Sequence, residues 1–170
     1  FGALQCTPAN PSCNDCPLRD ECLSLAAGTV AERPVKAGRI RIRPRYLNYL
    51  HLECGGRIAL RRRPEGDIWQ GLYDLPAIES DRPLDFTELA AAPPFRDMFG
   101  TLPYRLVRTI RMPKHQLSHQ TLHAAYHRLA LDAWPSAAEG WTLVPYEQLE
   151  DYAIPRLLDR YFERIGNSDT

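Results

Sequence analysis

Four cysteines, Cys6, Cys13, Cys16 and Cys22, form a C-x6-C-x2-C-x5-C pattern near the start of the chain. Thiolates are soft ligands that select zinc, copper(I) or an iron–sulfur cluster. Their crowding into one short stretch argues against a dispersed disulfide framework. Zinc ribbons usually pair two C-x2-C knuckles, whereas here one close pair is flanked by two outliers, a spacing that suits the wider corners of a cubane. The expectation is one 4Fe-4S cluster on these four residues, with zinc as the alternative. Cys54 stands alone, more than 30 residues further on, and is not expected to take part.

A second group, Lys114-His115-Gln116-Leu117-Ser118-His119, places a hydroxyl among imidazoles in a stretch without acids. A hydroxyl both donates and accepts, so one side chain can answer to either polarity on a ligand. The formal charge of the whole chain is zero, but the charges are segregated. Residues 33–63 hold ten Lys or Arg against the single acid Glu53, and residues 98–131 hold five against none. Two long segments of this kind suit a polyanion-facing surface better than scattered solvated charge. Arg39, Arg41, Arg43 and Arg45, crowded and free of acids, suit phosphates. His115, His119, His123 and His127 recur every four residues, which on a helix would let them share a metal. Thr121 to Leu131 has the pattern of a strand instead, where residues four apart stand roughly 13 Å from each other, so no metal is expected there.

The elements that must position these groups follow from periodicity and punctuation. The cysteine stretch runs into Leu23-Ser24-Leu25-Ala26-Ala27 closed by Gly28, a helix end, and residues 1–28 form one unit. Residues 29–45 carry two prolines and six basic residues without an apolar period, as an exposed linker does. Tyr46 to Leu52 is a strand, Gly55-Gly56 a tight turn and Arg57 to Arg61 the hairpin partner. Leu72 to Pro76 is a further short strand, and Phe86 to Ala92 a helix stopped by Pro93-Pro94. Strands over Arg105–Met112, Thr121–Leu131 and Trp141–Val144 follow, with helical spacing over Glu147–Ile165. This mixture makes residues 46–165 an α+β domain. No apolar run approaches the roughly 20 residues of a membrane helix, and no leader precedes Phe1. The chain is therefore expected to be a cytoplasmic piece of something longer, with no membrane partner.

Three motifs also carry a family resemblance. The cysteine spacing resembles the cluster loop of the endonuclease III and MutY glycosylases, and Cys16-Pro17-Leu18 with Cys22 is similar to the MutY version. The segment Gly66-Asp67-Ile68-Trp69-Gln70-Gly71-Leu72-Tyr73-Asp74-Leu75-Pro76 resembles the W-x-G-L-Y stretch of the MutY C-terminal domain, which has a Nudix-like fold. Taken alone, Trp69 and Leu72 are core residues at the start of a strand. The hexapeptide 114–119 resembles the MutY lesion-reading loop, commonly basic-His-x-Phe-Ser-His, with Leu117 where Phe is frequent. Endonuclease III ends soon after its cluster, so the attached Nudix-like domain points to MutY.

The resemblance implies a Nudix-like mixed sheet with flanking helices, preceded by a 4Fe-4S loop and a linker. It implies a monomer bound to double-stranded DNA with an A:8-oxoguanine or A:G mispair, and a glycosylase domain N-terminal to this stretch in the same chain. The parent activity would be hydrolysis of the adenine N-glycosidic bond after base flipping, with its carboxylates upstream and none of them here. Lys114, His115, Leu117, Ser118 and His119 would meet the lesion. Oxidation at C8 converts guanine N7 from acceptor to donor, a change that the Ser118 hydroxyl can follow, while Leu117 offers an apolar wedge without the stacking of a ring. Two departures stand out: Thr7 to Ser12 lacks Lys and Arg, and nothing after Pro76 supplies the R-E-x-x-E-E helix with which a Nudix hydrolase holds magnesium. Diphosphate hydrolysis is not expected. The rival is a metal-stapled Nudix-like module that binds a nucleotide or a protein.

Overall fold

The computed structural model describes residues 4–35 and 42–166, which fall in two units divided between Arg41 and Ile42. In the first unit Cys13–Asp15 makes one turn of 3-10 helix and Leu23–Ala26 a short helix, α1. Arg39 and Arg41 lie outside the described residues.

The second unit is built on a mixed sheet. Strands β1 (Arg43–Cys54) and β2 (Arg57–Arg62) form the expected hairpin around Gly55-Gly56. Both glycines have positive φ, 56° and 75°, as a two-residue hairpin turn of the primed type demands. Two short strands follow, β3 (Tyr73–Asp74) on β2 and β4 (Ala77–Ser80) on β1. The strand expected over Leu72–Pro76 is thus shortened to Tyr73–Asp74, and β4 begins only after Pro76, which has no N–H to give a ladder. Strands β5 (Tyr104–Arg111), β6 (His115–Gln116), β7 (Gln120–Leu131) and β8 (Thr142–Pro145) complete the set. The order is β3-β2-β1-β7-β5, with β4 on β1, β6 on β7 and β8 on β2. Among the described residues only β1 and β7 run parallel, in register from Arg43 opposite Gln120 to Glu53 opposite Ala130.

Alternation along the strands divides the core between two faces. Leu47, Tyr49, Ile58, Leu60, Leu122 and Tyr126 pack against Leu157, Leu158, Tyr161 and Ile165 of a C-terminal helix (Arg156–Gly166). Leu50, Leu52, Ala59, Leu129 and Leu131 meet Leu89, Phe95 and Phe99 on the other face. Those last three belong to two helices, α2 (Phe86–Ala91) and α3 (Pro93–Phe99), where the sequence suggested one. Pro93 does stop α2, but it also occupies the first turn of α3, where its fixed φ and missing N–H cost nothing. The helix expected over Glu147–Ile165 is likewise two pieces, a 3-10 stretch (Tyr146–Asp151) and the C-terminal helix, α4. Pro155 lies at the break, its carbonyl accepting from the Leu158 and Asp159 amides. Among the described residues no helix is long and apolar enough to cross a membrane.

Candidate functional site

The segment singled out for its Ser118 hydroxyl is the tip of a hairpin. His115 pairs with Leu122 and Gln116 with Thr121, and the Leu117 amide donates to the Gln120 carbonyl at 2.8 Å. That turn holds no Gly, Asn or Asp, which is why β6 escapes a reading by turn residues. The Arg43 amide donates to the His119 carbonyl at 3.1 Å, which fixes the far side of the tip to β1. Lys114, Ser118 and His119 are exposed and His115 is half-buried. Leu117 is also half-buried and packs on the core beneath α4, so part of the side chain expected to wedge against bases is already engaged.

Arg45 departs from the expectation of a linker arginine facing phosphate. It stands in β1, and its Nε and Nη2 both donate at 2.7 Å to the Glu79 carboxylate. Its Nη1 donates to Asp67 at 2.8 Å and to the Gln120 side chain at 3.3 Å. The hydrogen bond to Glu79 is the foremost reason that the Arg45 pKa lies above its ordinary value. Asp67 in turn accepts from Arg63 and from the Ile68 amide. Burial would raise the Asp67 carboxyl, but Arg45 and these partners hold it below the usual range. Arg63 also donates to Asp74 at 2.8 Å and to the Ile68 carbonyl at 2.8 Å, and its guanidinium lies 5.6 Å over the Trp69 ring. Asp74 is 2% exposed; burial pushes its carboxyl up to about 6 against the pull of Arg63 and Tyr49. Trp69 sits at φ 58°, a left-handed conformation that non-glycine residues rarely adopt, and its ring centroid is 6.0 Å from that of His115.

The histidines spaced every four residues have separate neighbours. His115 faces Trp69, His123 stacks on Tyr46 at 4.8 Å, and His127 is buried beside Phe86 with its Nδ1 bonded to Thr109. In the first unit the four thiols of Cys6, Cys13, Cys16 and Cys22 are free and line one cavity together with Arg19 and Leu25. Among the described residues no group of three or more His, Cys, Asp or Glu is gathered tightly enough to hold a metal ion. Cys54 lies in β1, in the other unit.

The first helix after Pro76, α2, has a single acid, Glu88. That carboxylate closes a capping box with Asp85 and pairs with Arg82 at 2.9 Å, so it is committed to the helix start.

The NUDIX_4 family, a NUDIX domain, matches residues 48–164. The chain belongs to the NUDIX domain family. This NUDIX chain is 31% identical over 94 residues to the adenine DNA glycosylase of Arabidopsis thaliana, covering 46% of the chain and 15% of that protein. It is 27% identical over 125 residues to the adenine DNA glycosylase of Buchnera aphidicola subsp. Baizongia pistaciae, covering 72% of the chain and 33% of the relative. The chain thus spans a third or less of the length of these two curated relatives. Its fold is similar to the C-terminal domain of mouse MUTYH, seen in a crystal structure of its complex with human PCNA. The TM-score is 0.54 at 20% identity, over 75% of this chain and 90% of that one. Family, relatives and fold together support the resemblance to the C-terminal part of MutY-type enzymes.

Removing Arg63 leaves the buried Asp74 carboxylate without its cation. Arg63→Met is expected to cost about 3–5 kcal/mol in urea unfolding at pH 7. Without Arg63 the folded pKa of Asp74 moves further above its unfolded value, so stability is present at low pH and is lost as pH rises through the folded pKa. The cost should therefore be clearly smaller at pH 5, where Asp74 takes up a proton. An equal cost at both values would show that Asp74 does not titrate in this window.

Proposed function

We propose that this chain is the C-terminal part of an adenine DNA glycosylase acting in base-excision repair on adenine opposite 8-oxoguanine or guanine. Its own share is to hold a 4Fe-4S cluster, clamp the duplex and recognise the oxidised base. The observation that carries this reading is the Ser118 hairpin. It presents a donor–acceptor hydroxyl at an exposed tip, flanked by His119 and Lys114, in a stretch of sequence from 98 to 131 with no acid to repel DNA. The named activity of the sequence relatives supports the parent reaction, and the commitment of Glu88 to its cap speaks against diphosphate hydrolysis. The carboxylates for glycosidic cleavage are expected in an N-terminal glycosylase domain of the same chain, and none is assigned here.

Contacts to phosphate position a protein on DNA, and contacts to base edges carry the sequence information. Arg43, exposed at the start of β1, with Arg39 and Arg41 before it, supplies the first kind; Ser118 and His119 supply the second. The N7 proton of 8-oxoguanine gives the Ser118 oxygen a donor that guanine lacks. Cys6, Cys13, Cys16 and Cys22 would hold the cluster, whose role when bound is to staple the loop near the DNA backbone. The protein that contains this chain is read as a monomer.

In the full-length protein, Ser118→Ala with His119→Ala should reduce the preference for A:8-oxoguanine over A:G duplex by about tenfold or more at one fixed salt concentration. Arg43→Ala should weaken both duplexes alike and lower the salt slope by about one. An unchanged preference in the hairpin variant would contradict the reading, and salt-independent binding would favour a protein- or nucleotide-binding module instead.

Anaerobically purified full-length protein should contain about four irons per chain with matching labile sulfide. Cys54→Ser should keep that content and Cys16→Ser should lose it. Stoichiometric zinc without sulfide would overturn the cofactor assignment.

A further inference from the structure

We infer that Arg45 is a positioning residue for the Ser118 hairpin, setting lesion discrimination without touching DNA. The inference rests on the reading of that hairpin as the lesion-contacting element. Arg45 is a half-buried guanidinium, its side chain 18% exposed, at the junction of three segments. It forks onto Glu79 of β4, reaches Asp67 in the turn that follows β2, and donates to the side chain of Gln120, the first residue of β7. Gln120 is also where the hairpin closes, since its carbonyl accepts from the Leu117 amide at 2.8 Å and from the Gln116 side chain at 3.3 Å. Arg45 therefore adds a side-chain tie between the exit of the hairpin and the sheet, beside the backbone bond from the Arg43 amide to the His119 carbonyl.

The same cation reaches the other arm of the hairpin by a second route. Asp67, held by Arg45 and Arg63, caps the Ile68 amide, and Arg63 takes the Ile68 carbonyl and covers the Trp69 ring. Trp69, kept at positive φ, brings its ring to His115 on β6. Ser118 thus sits at a tip whose two arms are steadied through one network, from Gln120 on one side and from His115 on the other.

The charge of Arg45 is already met within that network. A phosphate approaching Arg45 meets a guanidinium whose Nε, Nη1 and Nη2 all donate to protein acceptors, with the carboxylates of Glu79 and Asp67 against it. Recruiting Arg45 to DNA would leave both acids without this partner, which offsets what the phosphate contact would contribute. Arg43, two residues earlier and exposed, has no carboxylate partner among the described residues.

The test measures affinities of full-length protein for A:8-oxoguanine and A:G duplexes over a range of salt, in Arg45→Met, Arg45→Lys, Glu79→Gln and Ser118→Ala. Arg45→Met should lower the affinity ratio roughly tenfold, as loss of the base contact itself does, and leave the salt slope at the wild-type value. Arg45→Lys keeps the charge but not the fork, so it should lose most of the ratio as well. Glu79→Gln changes an exposed carboxylate and preserves the fold, and should give a smaller loss of the ratio at the same salt slope. In a Ser118→Ala background, Arg45→Met should have little further effect on the ratio, because the group it positions is gone. A salt slope lowered by about one with the ratio intact in Arg45→Met would make Arg45 a phosphate contact and overturn the inference. A ratio that falls in Ser118→Ala but not in Arg45→Met or Glu79→Gln would overturn it while leaving the hairpin reading in place. A ratio unmoved by Ser118→Ala would overturn both.

Discussion

Parallel strands cannot be joined by a tight turn, so no local sequence fixes their register. In this molecule β1 and β7 are such a pair, and they form the centre of the sheet. A slip of one residue would turn either Leu47 and Tyr49 or Leu122 and Tyr126 out of the core beneath α4. Side chains set the register instead. Arg45 holds Gln120 at one end, and Arg128 donates to both oxygens of Glu53 at 3.0 Å at the other. Between them Tyr46 stacks on His123 and Tyr49 on Tyr126, each ring on the residue directly opposite. Glu53 also accepts from Tyr146, which with Tyr161 brackets the buried His51. Burial holds the His51 imidazole down to about 4, so it is neutral at pH 7 and adds no unpaired charge to the core.

This register decides what the hairpin can do. With Arg43 opposite Gln120, the β1 backbone meets the His119 carbonyl, and the guanidinium of Arg45 meets the Gln120 side chain. Two opposite charges about 4 Å apart near a protein surface attract by about 4 kcal/mol at an effective dielectric of 20, before desolvation is counted. Arg45 has two such partners and Arg43 none among the described residues, so electrostatics alone separates a structural arginine from one available to phosphate. The acid of α2, Glu88, caps its own helix, and the exposed Ser118 and His119 lie in the turn between β6 and β7. Fold membership alone carries no reaction.

Much of this was legible in the sequence because it is written in local signals. Gly55-Gly56 marks a hairpin by conformational need, and the strand expected over Thr121–Leu131 is present as β7. The errors have physical causes. Pro93 signals both an ending and a beginning, and only the packing of Phe95 and Phe99 decides for a second helix. The turn Leu117-Ser118-His119 is closed by the local pairs of β6 with β7 and by a backbone bond from distant Arg43, and it holds no Gly, Asn or Asp to give notice of β6. Arg45 is the instructive case: its charge is visible in a basic run, but its partners Asp67 and Glu79 lie 22 and 34 residues away. Charge runs report a field; whether one charge in the run is spent is a property of the fold.

Division of labour between a committed Arg45 and an exposed Ser118 is tested most directly by a crystal structure of the full-length protein on a duplex with adenine opposite 8-oxoguanine. The Ser118 hydroxyl is expected within about 3 Å of the lesion's N7. Arg45 is expected to remain on Asp67, Glu79 and Gln120, with no phosphate oxygen within about 4 Å of its guanidinium. Ser118 remote from the oxidised base, or Arg45 drawn away from its carboxylates onto the DNA backbone, would contradict that division.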